Sequence, residues 1–186
     1  MLYTRKGDKG TTKTFGCDQR ISKSSAIAEA LGTMDELNSF LGLARACLKG
    51  DKKNNFKLGR QAFSEIVFTV QQNLFIIQAE LAGAGKTIHK EKVKEAEEII
   101  NAAEKNMPPI KSFFISGASE IGAMFDFARA LSRRAERRVV EVAEEEKVEI
   151  GEYTLAYLNR LSSLLYVLAR FSNHKSGAKE KAPEYK

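Results

Sequence analysis

Long stretches of this chain carry apolar residues at spacings of three and four, a period that a helix can bury on one face and a strand cannot. From Ser25 the series Ile27, Leu31, Met34, Leu37, Leu41, Ala44 and Leu48 runs to a stop near Gly50. A second series, Phe63, Ile66, Val67, Val70, Leu74, Ile77 and Leu81, ends before Gly83 and Gly85, as helices commonly do. The segment Lys90 to Lys105 is a shorter amphipathic helix, with Val93, Ala96, Ile99, Ile100 and Ala103 on its apolar side. After Pro108-Pro109 and the loop KSFFISGASE, helical spacing resumes from Ile121 to about Glu146, and a last helix runs from roughly Glu152 to Asn173. With no alternating strand pattern, the prediction is an all-α fold, a five-helix up-and-down bundle with an ordered N-terminal loop.

Length and composition fit one domain over 1–186. The 186 residues can bury a core without disulfides, and 43% hydrophobic and 29% charged residues place the chain among globular proteins. Residues 1–24 form the expected arm, LKGDKKNNFKLG a polar surface loop, and the polar tail 174–186 is expected to be flexible. A formal charge of +6 favours anionic partners. Cys17 and Cys47 have no metal or redox spacing, the opening MLYTRKGDKG lacks the apolar core of a signal peptide, and no apolar run approaches the ~20 residues of a membrane span. The expectation is a soluble, cytoplasmic protein without a membrane partner.

At 100° per residue, Met124, Ala128, Leu131, Ala135, Val139 and Val142 fall on one core-facing stripe. Arg129, Arg133 and Arg137 then share the opposite face with Asp126 and Glu136, and Arg134 and Arg138 flank them. Like charges four apart cost an isolated helix about 0.2–0.5 kcal/mol per pair. A guanidinium row suits a ligand with several adjacent phosphates, although a solvated face neutralised by Glu136, Glu141 and the following glutamates also accounts for it.

The segment Thr4-Arg5-Lys6-Gly7-Asp8-Lys9-Gly10-Thr11-Thr12 combines glycines, cations and hydroxyls, the parts of a phosphate cradle. It is not a Walker A loop, and a disordered basic terminus is the competing reading. Asp35, Asn38 and Arg45 fall on the polar side of the first helix, and Asn159, Ser163, Tyr166 and Arg170 share a face of the last; either stripe could simply be solvated. No His/Cys/Asp/Glu cluster has metal spacing, and the histidines are His89 and His174 alone, so no metal ligands are assigned. The residues suit positioning and charge stabilisation rather than acid–base chemistry.

Five blocks in this order, YTRKGDKGTT, Arg20 and Lys23 in RISK, GTMDELNSFLG, SRRAERRVV and YLNRLSSLLYVLAR, together resemble the PduO-type ATP:cob(I)alamin adenosyltransferases from about Tyr3 to Phe171. The resemblance implies a homotrimeric five-helix bundle with active sites between subunits. There Co(I) of reduced cobalamin attacks the 5′ carbon of ATP, giving adenosylcobalamin and triphosphate, with Mg²⁺ on the leaving group. A reductase and an adenosylcobalamin-dependent enzyme are the further partners it suggests; no nucleic acid is implied. By resemblance, Thr4, Arg5, Gly7, Asp8, Gly10, Thr11, Thr12 and Lys23 form the ATP-binding arm. Arg133, Arg134 and Glu136 match the nucleotide-binding helix, with Asn159 as partner on the last helix. Arg129 and Asp35 resemble a salt bridge across the subunit interface, and Phe113 resembles a phenylalanine against the corrin that helps exclude a lower axial ligand.

The chain also departs from the family's pattern. Lys6 stands for a usual threonine, Ser116-Gly117-Ala118 for Pro-Gly-Gly, Phe125-Asp126 for Leu-His, and Ser163 for aspartate. Ser163 bears on the corrinoid end of the site, and it motivates an alternative of the same fold, a non-catalytic corrinoid or ATP carrier. A basic helical nucleic-acid binder is a third reading, motivated by charge alone.

Overall fold

The computed structural model describes residues 3–15, 19–145 and 148–185. Cys17 and the expected helix end near Glu146 lie outside the described residues. Five helices carry the fold: α1 (Ala26–Gly50), α2 (Phe63–Leu81), α3 (Lys90–Glu104), α4 (Glu120–Glu144) and α5 (Glu152–Lys175). Ser25 caps α1 by accepting from the Ala28 N–H, and Ser119 caps α4 by accepting from the Gly122 N–H, each satisfying an otherwise orphaned donor. At α2 the Glu65 carboxylate accepts from the Ala62 N–H at 2.8 Å.

The helices pack in the order α2, α1, α4, α5, α3. The apolar stripes read from the sequence form one core, in which Phe63 stacks edge-on to Phe125 at 5.9 Å and lies 5.6 Å from Phe171. α2 and α5 are also joined inside the core, where Asn73 Nδ2 donates to the Tyr157 hydroxyl. Burial pushes the Tyr157 phenol well above its ordinary pKa, opposed by that hydrogen bond.

Local structure departs from expectation in two loops and the tail. The arm contains a two-residue antiparallel pair, β1 (Thr11–Thr12) with β2 (Ile21–Ser22). The polar segment before α2 forms another, β3 (Lys57–Leu58) with β4 (Gln61–Ala62), and buries Leu58. These pairs are too short to show a period-two signal. The tail, expected to be flexible, returns to the body. Gly177, at φ +72°, takes the left-handed conformation that ends α5, and the Ala178 N–H closes back onto Asn173 O at 2.9 Å. From there the tail donates or accepts at defined points: Lys181 O accepts from the Ile115 N–H at 2.8 Å, and Glu180 accepts from Asn173 Nδ2 at 2.7 Å.

Candidate functional site

A cleft of about 870 Å³ opens between α4, α5, the loop Lys111–Ser116 and the returning tail. Its lining is aromatic and apolar with a polar end: Phe113, Phe114, Tyr166, Pro183 and Tyr185 face it, together with Arg129 and Ser163. Three residues singled out separately from sequence, Phe113, Arg129 and Ser163, thus meet around one space. Both neighbouring phenylalanines line the cleft: Phe113 is 78% exposed, whereas the Phe114 ring lies 5.7 Å from the Arg170 guanidinium.

The arginine row leads out of this cleft along α4. Arg129 lies partly buried over the Tyr166 ring at 5.9 Å, and its buried Nε has no hydrogen-bond partner. Arg133, one helical turn or ~6 Å further along, is exposed, and neither it nor Arg137 has an ion-pair or hydrogen-bond partner among the described residues. Arg134 pairs with Glu36 of α1, and Arg138 pairs with Glu141 and Glu29. The hydrogen bond to Glu141 raises the Arg138 pKa further. Glu136 accepts from Asn159 Nδ2 at 3.1 Å, linking α4 to α5 beside Arg133.

Asp126 does not belong to this outer row. It is buried and ion-paired to Arg170 of α5, because α4 turns that flank into the α4–α5 seam rather than toward solvent. The polar stripe on α1 also divides. Asp35 is exposed, but Asn38 is buried and Arg45 lies 4.1 Å over the Phe68 ring while donating to Ser64 O.

The arm folds its candidate residues into one wrapped turn. Arg5 and Gly10 adopt positive φ, and the Asp8 and Gly10 N–H groups close onto Arg5 O and Gly7 O. Arg20 crosses beneath, its Nε donating to Thr11 Oγ1 at 2.7 Å and its Nη2 to the Lys6 and Thr11 carbonyls. Thr4 accepts from the Lys6 N–H, Thr12 lies beside Thr11 in β1, and the Lys23 Nζ comes within 3.3 Å of where a Cβ on Gly7 would stand. Within one chain no hydrogen bond or ion pair joins Thr4–Thr12 to α4, and Asp35 does not meet Arg129, among the described residues.

A model of the family described as cobalamin adenosyltransferase matches residues 2–172. The chain belongs to that family. Among cobalamin adenosyltransferase relatives, the corrinoid adenosyltransferase of Bacillus subtilis (strain 168) is 39% identical over 180 residues, covering 95% of this chain and 88% of its own. The corrinoid adenosyltransferase PduO of Citrobacter freundii is 37% identical over 180 residues, 93% of this chain but 50% of that protein. The chain therefore spans about half the length of the PduO relatives it matches. A single-residue variant of the PduO-type ATP:corrinoid adenosyltransferase of Lactobacillus reuteri, complexed with cobalamin and ATP, superposes with a TM-score of 0.85 at 26% identity, covering 100% of both chains.

What sequence reasoning missed is the floor and lid of the cleft. Spacing puts Arg170 on a polar stripe of α5 that could face a ligand or solvent, and Glu180, Pro183 and Tyr185 in a flexible tail. Their pairing depends on which flanks of α4 and α5 meet, and spacing along one helix does not encode that.

Proposed function

We propose that this chain transfers the 5′-deoxyadenosyl group of ATP to the cobalt of cob(I)alamin, giving adenosylcobalamin and triphosphate. The observation that carries the reading is the continuity of Arg129 and Arg133 from an aromatic cleft large enough for part of a macrocycle to a free guanidinium one turn away. The complex of the Lactobacillus reuteri enzyme with both cobalamin and ATP supports it.

In this reading the corrinoid lies in the cleft against Phe113, which bars a lower axial ligand from the cobalt. The triphosphate lies along Arg133 and Arg134, with Glu136 and Asn159 holding the adjoining edge. The electron pair of Co(I) forms the bond to C5′, and the C5′–O pair leaves with the triphosphate, so no proton transfer is required. Arg133 and the arm's N–H groups stabilise charge developing on the leaving oxygen. Mg²⁺ arrives with the nucleotide, held by the triphosphate oxygens and water, as is usual for this ion.

The site is completed by a neighbouring subunit in a homotrimer. Thr4, Arg5, Gly7, Asp8, Gly10, Thr11, Thr12 and Lys23 reach the nucleotide of the next protomer, and Asp35 reaches Arg129 there. Two features favour assembly. The Arg129 Nε is buried and unpartnered, and large apolar side chains stand exposed on three helices: Leu43 on α1, Phe68 and Phe75 two turns apart on α2, and Phe127 on α4.

Incubation with Mg-ATP and chemically reduced cobalamin under anaerobic conditions should yield a light-sensitive alkylcobalamin and one triphosphate per turnover. ADP, or no corrinoid product, overturns the reading. Ser163 at the cleft favours the carrier alternative, which predicts tight ATP binding with no product.

A further inference from the structure

Behind the cleft lining lies the most deeply buried cation among the described residues, and it has no part in the transfer described above. Arg170 is 2% exposed. Its Nη2 donates to Asp126 of α4, and its Nη1 lies 2.6 Å from Glu180 Oε1 in the tail. Its guanidinium also faces the Tyr166 ring at 5.1 Å and the Phe114 ring at 5.7 Å.

Each partner belongs to an element that bounds the cleft. Asp126, Phe114 and Tyr166 line it themselves, and Glu180 stands two residues before Ala182, followed in the lining by Pro183 and Tyr185. The Ile115 N–H bond to Lys181 O ties the phenylalanine loop to the same stretch of tail. One side chain therefore gathers α4, α5, loop and tail at a single point.

Burying one cation with two carboxylates is a poor way to gain stability, since apolar side chains of similar volume usually serve as well. What an ionic cluster adds is position: the tail's carboxylate has one place to go, whereas an apolar tail contact could slide. We propose that Arg170 is a positioning residue for the corrinoid. It clamps tail residues 180–185 and the Phe113–Phe114 loop in one arrangement, so that the macrocycle meets a preformed wall opposite Arg129. The ligand's identity rests on the proposed function; the clamp itself does not.

The test uses Glu180→Gln, which removes the tail's charge from Arg170 while its amide oxygen can still accept from Asn173 Nδ2 of α5, with Glu180→Asp as the conservative partner. Three quantities are measured on the full chain: amide hydrogen exchange at Ile115, the KM values for chemically reduced cobalamin and for ATP, and the Tm. Loss of a charged partner corresponds to about a tenfold effect or more. Glu180→Gln should speed Ile115 exchange and raise the cobalamin KM by that factor, with the ATP KM unchanged, the Tm lowered by the loss of a buried ionic partner, and Glu180→Asp recovering part of each. Unaltered Ile115 exchange, or an ATP KM that rises as far as the cobalamin KM, overturns the clamp. If the wild-type chain makes no adenosylcobalamin, the proposed function fails, while the exchange measurement still decides whether Glu180 fixes the loop.

Discussion

Replacing Arg133 by alanine should separate stability from activity in opposite directions. The side chain is exposed and unpartnered, yet stands four residues from both Arg129 and Arg137 on the same helical face. Removing it relieves two like-charge pairs, about 0.4–1 kcal/mol from the per-pair cost of isolated helices. For a chain of this size that corresponds to a Tm higher by about 1–4 °C. With Mg-ATP the order reverses. Ligand at one hundred times its Kd stabilises the wild-type protein by about 2.7 kcal/mol. Loss of a charge-assisted hydrogen bond, about 1.5–3 kcal/mol, would cut this to about 0.3–1.3 kcal/mol at the same ATP concentration. Turnover should fall by about 10²–10³, as for removal of one donor to a developing oxyanion. Differential scanning fluorimetry with and without Mg-ATP, beside the alkylcobalamin assay, measures all three. An Arg133→Ala protein that melts lower without ligand, keeps the full ATP shift and turns over within about threefold of wild type would refute the argument.

Phe113→Ala should slow reaction starting from cob(II)alamin more than reaction from pre-reduced cob(I)alamin if, as proposed, it bars an axial ligand; equal slowing in paired anaerobic assays would reduce it to packing. Arg129→Ala should lower both activity and the trimer fraction seen by analytical ultracentrifugation, and an unchanged assembly would remove Asp35 as its partner. For Tyr157, the raised folded pKa means that the protonated phenol is favoured by folding. Its stabilisation is complete below the unfolded pKa near 10 and is lost above it, at about 1.4 kcal/mol per pH unit. Tyr157→Phe should flatten that alkaline loss in denaturant titrations while costing about 1–3 kcal/mol at neutral pH, since Asn73 Nδ2 loses its buried acceptor. An identical alkaline slope in both proteins would assign the loss to other groups.

The sequence by itself determined the five helices almost to the residue, because a period of three and four over several turns admits one backbone and one buried face. Ser25, Pro108-Pro109 and the turn-forming glycines marked the ends. It also grouped Thr4 to Thr12 as one loop, to which the family resemblance added Lys23, and it located Arg133 on an open face. Only the tertiary structure decided which helix flanks meet. Asp126 and Arg170 are forty-four residues apart, each plausible on a solvated stripe, and nothing in their own helices says that both turn into one seam. The same holds for the tail: its polarity argues for solvent until Gly177 reverses the chain and Arg170 supplies a buried partner for Glu180. Local periodicity encodes the direction a side chain takes from its own axis. What it meets there is set by the packing of other helices, and the cleft, its floor and its lid are products of that packing.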